Sequence, residues 1–110
     1  MAIPHTAPGE VIDVRPLGRP VSEADSEMLI RSDHLEVFRY ALPAGKAFDE
    51  RTAAGLMIVQ CLEGAVAFTA LGRTQTLTSG GMLYLPDGEP HSFEALADSS
   101  LLVTILLHRA

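Results

Sequence analysis

The most informative spacing in the chain is Gly80, five residues, Pro86, one residue, Gly88, two residues, His91. Its reactive member is His91, an imidazole that can carry a proton, anchor a hydrogen bond or ligate a metal. A buried histidine must find partners in any case, so a residue that only bonds a neighbour reads the same way in sequence. Phe93, two residues on, shares a strand face with His91 and makes its surroundings apolar. Two soft donors, Met57 and Cys61, lie on one face of the run Leu56–Leu62. Four residues along a strand span about 13 Å, so one metal ion does not reach both sulfurs unless the strand bends sharply. Met57, Val59 and Cys61 read more simply as core. No Ser–His–Asp order, phosphate loop or paired-carboxylate arrangement is visible, and no catalytic residue is assigned.

These groups must be positioned by strands. Segments of four to eight residues rich in apolar and β-branched types recur every eight to twelve residues, punctuated by Gly, Pro, Asp and Ser, and no segment has helical periodicity. The expected strands are Met28–Arg31, Leu35–Leu42, Leu56–Leu62, Ala65–Ala70, Arg73–Thr78, Met82–Leu85, His91–Ala95 and Leu101–His108. Pro86–Pro90 is a loop, since both prolines lack an N–H for a sheet. Lys46–Gly55 reads as irregular, Val21–Glu27 as a surface turn, and Asp98–Ser100 as a turn. Such a pattern is an all-β sandwich or barrel, for which a two-sheet jelly roll is the commonest way to hide strand edges. Residues 1–27, with four prolines before position 21, form an extended N-terminal arm; residues 28–110 form one domain. His5, His34 and His108 fall in the arm, a turn and the last strand, and carry no assigned role.

The 110 residues suit a single domain that gains from self-association. A formal net charge of −6 speaks against a nucleic-acid partner, which needs a basic face. No apolar run is long enough to cross a bilayer. The single cysteine precludes an internal disulfide and suits a reducing, cytoplasmic setting, and the N-terminus has no secretory pattern.

The Gly80–His91 spacing resembles the second motif of the cupin family, G-x5-P-x-G-x2-H-x3-N, with Ala95 in the place of the Asn. The frame of the first cupin motif, G-x5-H-x-H-x3-E-x6-G, is also present from Gly45 to Gly64, with Arg51, Ala53 and Met57 at its two His positions and its Glu position. The chain is therefore similar to small single-domain, RmlC-like cupins over roughly residues 35–107. The resemblance implies a double-stranded β-helix, the jelly-roll barrel. It also places the barrel site at Arg51, Ala53, Met57 and His91. Arg51 cannot give up its proton and Ala53 has no donor atom, so the family's metal chemistry does not carry over and no cofactor is expected.

The expected function is a metal-free binding module for a small organic molecule, with an anion among the candidates because a guanidinium at position 51 suits a carboxylate or phosphate. An Arg51 paired with Asp49 or Glu50 in solvent is the plainer alternative. The expected lining is His91, Arg51, Met57, Phe93, Tyr84 and Ala53. Tyr84 enters because some metal-free jelly-roll epimerases pair a His base with a Tyr acid; as a strand tyrosine it equally suits packing. A cupin enzyme is the alternative, either such an isomerase or one with atypical metal ligands. The expected assembly is a homodimer.

Overall fold

The computed structural model describes residues 6–107, so the expectations for His5 and His108 lie outside the described residues. Nine strands follow in order: β1 (Glu27–Arg31), β2 (Leu35–Leu42), β3 (Ala47–Arg51), β4 (Gly55–Glu63), β5 (Ala65–Ala70), β6 (Arg73–Thr78), β7 (Met82–Leu85), β8 (His91–Ala95) and β9 (Ser99–Leu107). They form two antiparallel sheets, a five-stranded one ordered β1-β2-β9-β4-β7 and a four-stranded one ordered β3-β8-β5-β6. The chain is an all-β jelly roll, as its Gly and Pro punctuation predicts.

The core lies between the sheets, and two-residue alternation is clearest in β4. In β4, Met57, Val59 and Cys61 are buried while Leu56, Ile58 and Gln60 are half-buried on the other face. Val66, Phe68, Phe93, Ala95, Leu101 and Val103 meet the buried β4 residues from the other strands. Burying each large apolar side chain contributes about 1.5–3 kcal/mol.

Two glycines are required by geometry. Gly64 turns the chain between β4 and β5 with a φ of 86°, and a Cβ there would collide with the Asp98 carbonyl and Ser99. Gly80 has a φ of 89° and donates its N–H to the Cys61 carbonyl at 2.9 Å, closing the turn that leads into β7.

Three segments differ from the sequence expectation. Ala47–Arg51, read as irregular, is a strand because β8 supplies its hydrogen bonds. It is an edge strand exposed at four of five residues, so it has no apolar alternation to read. Ser99 and Ser100, read as a turn, begin β9 and are fully buried, with Ser99 Oγ accepting from Ala65 N at 3.0 Å. Within Val21–Glu27, Glu23–Asp25 forms a single 3-10 turn capped by Ser22 and Asp25.

The described part of the arm lies on its own barrel. Leu17 N donates to Glu63 at 2.9 Å and Gly18 N to the same carboxylate at 3.3 Å. Ser100 Oγ donates to Glu63 as well. Arg39, on the outer face of β2, is buried beneath the arm; its Nη2 donates to the Arg15 carbonyl at 2.8 Å, and its Nε has no partner. Asp98 accepts from Val21 N and Ala44 N. Burial raises the Glu63 pKa, but hydrogen bonds from Ser100, Leu17 and Gly18 and the field of Arg39 outweigh it, leaving the carboxyl below its ordinary value.

Candidate functional site

The site is a cavity of about 120 Å³ between the two sheets. Register brings its parts together. Arg51 of β3 stands opposite His91 of β8, and Met57 of β4 opposite Ile105 of β9. The lining comprises these four, Ala53 and Thr52 from the β3–β4 connection, Phe93 from β8, and Phe38 and Tyr40 from β2. Five of the six residues singled out in the sequence thus share one cavity: His91, Arg51, Met57, Phe93 and Ala53.

The sixth, Tyr84, does not. It is 66% exposed, and its neighbours Leu83 and Leu85 are the residues of β7 that pack on the core. Strand alternation puts Tyr84 on the outer face, opposite Ile58. The phenol at the cavity is Tyr40, which sequence reasoning missed along with Phe38. The signal was available: Phe38, Tyr40 and Leu42 are two apart, and Leu42 is fully buried, so all three face inward.

His91, Met57 and Phe93 are 3%, 4% and 4% exposed. His91 Nδ1 lies 3.1 Å from the Glu89 carbonyl. A carbonyl only accepts, so Nδ1 carries the proton of that bond and Nε2 is the second polar point of the ring. Phe68 stacks on the imidazole at 5.6 Å with the planes 10° apart, and on Phe93 at 5.5 Å with the planes 2° apart. Tyr40 packs edge-on to Phe38 and Phe48, and Phe48 edge-on to Phe93.

Arg51 is exposed at the cavity's edge. Its guanidinium lies 4.4 Å from the centre of the Phe48 ring, and its Nη1 donates to Tyr40 Oη at 3.4 Å. Among the described residues it makes no ion pair, and neither Asp49 nor Glu50 engages it.

The donor set does not fit a divalent metal ion. It offers one imidazole, one thioether, a cation and two neutral hydroxyls (Tyr40 and Thr52), with no carboxylate, thiolate or second imidazole, where such ions take three or four nitrogen, oxygen or thiolate ligands. Among the described residues no group of three or more His, Cys, Asp or Glu side chains is placed to hold a metal. Cys61 does not reach the cavity. Its Sγ lies 3.3 Å from the Glu63 carbonyl, and burial raises its thiol pKa.

Two antiparallel sheets closing over a small internal cavity, with the Gly45–Gly64 and Gly80–His91 frames at the strand ends, define a cupin-type protein. The sequence matches the AraC-like ligand-binding domain over residues 35–107, and the chain belongs to that family. No curated protein matches the sequence. Among solved structures, a conserved protein of unknown function from Streptococcus pyogenes is 19% identical with a TM-score of 0.75, covering 100% of this chain and 97% of that one. A cupin superfamily protein from Desulfitobacterium hafniense is 18% identical with a TM-score of 0.73, covering 90% and 100%. An RmlC-like cupin from Desulfovibrio desulfuricans is 22% identical with a TM-score of 0.68, covering 92% and 95%. At these identities the likeness is one of fold. Among the described residues no helix is long and apolar enough to cross a membrane.

Proposed function

We propose that this chain is a metal-free module that binds a small organic molecule, an anion by preference, in the cavity between its sheets. The observation that carries this reading is the composition of the cavity: Arg51, Ala53 and Met57 stand where a metal-binding cupin needs metal ligands, while aromatic walls and a guanidinium with no ion pair among the described residues remain. Membership of a ligand-binding domain family supports it. Metal analysis and native mass spectrometry of protein purified without chelator test it. The expected result is less than 0.1 equivalent of iron, zinc or manganese; one tightly held ion per chain overturns the reading.

The partner in assembly is a second copy, docked through the outer face of the five-stranded sheet. Val37, Thr104, Ile58 and Tyr84 form one cross-strand row there and Leu35, Leu106 and Leu56 the next. The two rows carry no charge, which suits pairing between chains that each carry −6. The longer row crosses four strands, about 19 Å at roughly 4.8 Å spacing, which suits an interface at or below the roughly 800 Å² per partner of a standard one. Sedimentation should give a dimer, and Ile58→Glu a monomer; a monomeric wild type at 50 µM, on the order of a weak interface's range, sinks this part.

An isomerase reading draws on one observation: His91 and Tyr40 line the same cavity, so a His–Tyr proton relay would use Tyr40 and not Tyr84. Solvent deuterium appearing in a bound ligand, and lost in Tyr40→Phe, would favour it.

A further inference from the structure

We infer that the ligand is a small monocarboxylate whose apolar body is no larger than a benzene ring. This rests on the binding reading above and adds to it the size, the charge and the contact that reads the charge.

The charge follows from how Arg51 is held. Its guanidinium carbon lies over the Phe48 ring, 4.4 Å from the ring centre, and a cation held against an aromatic ring keeps its N–H groups for hydrogen bonds. Of its five N–H donors, the only one engaged by a described residue is the Nη1 donor to Tyr40 Oη, at 3.4 Å. A planar fork with two parallel donors matches the two oxygens of a carboxylate. In an acidic chain, a cation left without an acidic partner among the described residues, and steadied by an aromatic ring, is placed to receive an anion rather than to stabilise a surface. No second cation lines the cavity, which favours a single negative charge over a phosphate dianion.

The size follows from the space behind Arg51. The interior wall is mainly Phe38, Phe93, Met57, Ile105 and Ala53, with the His91 ring and the Tyr40 and Thr52 side chains as its polar members. Its volume of about 120 Å³ is somewhat below the roughly 150 Å³ of an engineered apolar cavity that admits benzene. A short branched or single-ring body fills it, and a fused double ring does not. The carboxylate then sits at the edge on Arg51 while the body replaces empty space among the aromatic rings.

The test is calorimetry and thermal denaturation with benzoate and isovalerate against benzamide, 2-naphthoate and inorganic phosphate, at fixed ionic strength and pH 7. Benzoate or isovalerate should bind saturably, with benzamide, naphthoate and phosphate each at least tenfold weaker. Arg51→Gln should remove the advantage of benzoate over benzamide, and Ala53→Leu, which fills the cavity, should abolish binding of both. Equal binding of benzoate and benzamide that Ala53→Leu abolishes overturns the carboxylate assignment and leaves the binding reading standing. Naphthoate binding as tightly as benzoate overturns the size limit. Failure of every probe in a protein that circular dichroism shows to be folded overturns the inference, and absence of any co-purified molecule by native mass spectrometry then counts against the binding reading too.

Discussion

Two polar clusters of the barrel, one around Glu63 and one around His91, differ in how much of their bonding capacity is used. Around Glu63, the carboxylate accepts from Leu17 N, Gly18 N and the Ser100 hydroxyl, and Arg39 ties the same stretch of arm to β2. Around His91, one ring nitrogen is bonded within the chain, and the Arg51 guanidinium has one long contact to Tyr40. The first cluster holds two parts of the molecule together, and its carboxylate is satisfied by the fold, although Nε of the buried Arg39 beside it has no partner among the described residues. The second borders empty space and keeps donors in reserve. The Glu63 carboxylate, with its partners supplied by the chain, is structural; the Arg51 donors at the cavity edge are open to a partner from outside.

Perturbing both clusters tests this contrast. The largest effect belongs beside Glu63: Gly64→Ala should cost about 1–3 kcal/mol for the backbone conformation alone, and more for the collision with the Asp98 carbonyl, read as a drop in the urea midpoint. A cost under about 0.5 kcal/mol would mean that the turn relaxes freely. Next, Glu63→Ala should destabilise by about 1–3 kcal/mol by stranding its donors, and should speed amide exchange at Leu17 and Gly18. Exchange unchanged at those two amides would show that the arm is held elsewhere.

A smaller effect is expected from acid. The Glu63 pKa is lowered in the folded chain, so its contribution is full above the ordinary carboxylate value and is lost as pH falls through the lowered one. Stability should therefore decline below about pH 4.3, and less steeply in Glu63→Gln. Smallest of all, Arg51→Gln should change stability by under about 1 kcal/mol, because its described partners are one contact at 3.4 Å and the face of the Phe48 ring. A loss of 2 kcal/mol or so there would erase the distinction between the clusters.

The sequence made the open cluster easier to find than the filled one. Arg51, Ala53, Met57 and His91 sit at fixed distances from Gly45, Gly64, Gly80 and Gly88, and all four glycines adopt positive φ, so turn geometry kept their spacing legible. The Glu63 cluster joins residues far apart in the chain through backbone amides that carry no side-chain signature, and Glu63 reads in sequence as a solvated loop acid. Strand β3 was illegible for a related reason: an edge strand exposed at four of five positions owes its form to β8 and not to its own pattern. Tyr84 is a different failure. Its residue type suggested a role, but Leu83 and Leu85 on either side already turn it outward, and alternation should have been given the greater weight.

The parallel stacking of Phe68 on the His91 ring has a spectroscopic consequence. A proton near a benzene ring is shifted by its circulating electrons, so the imidazole C–H resonances of His91, whose ring centre lies 5.6 Å from that of Phe68, should stand apart from those of His34, an exposed residue in a turn. Any molecule entering beside that ring will displace the signal without a label being added, so the protein carries its own reporter of occupancy.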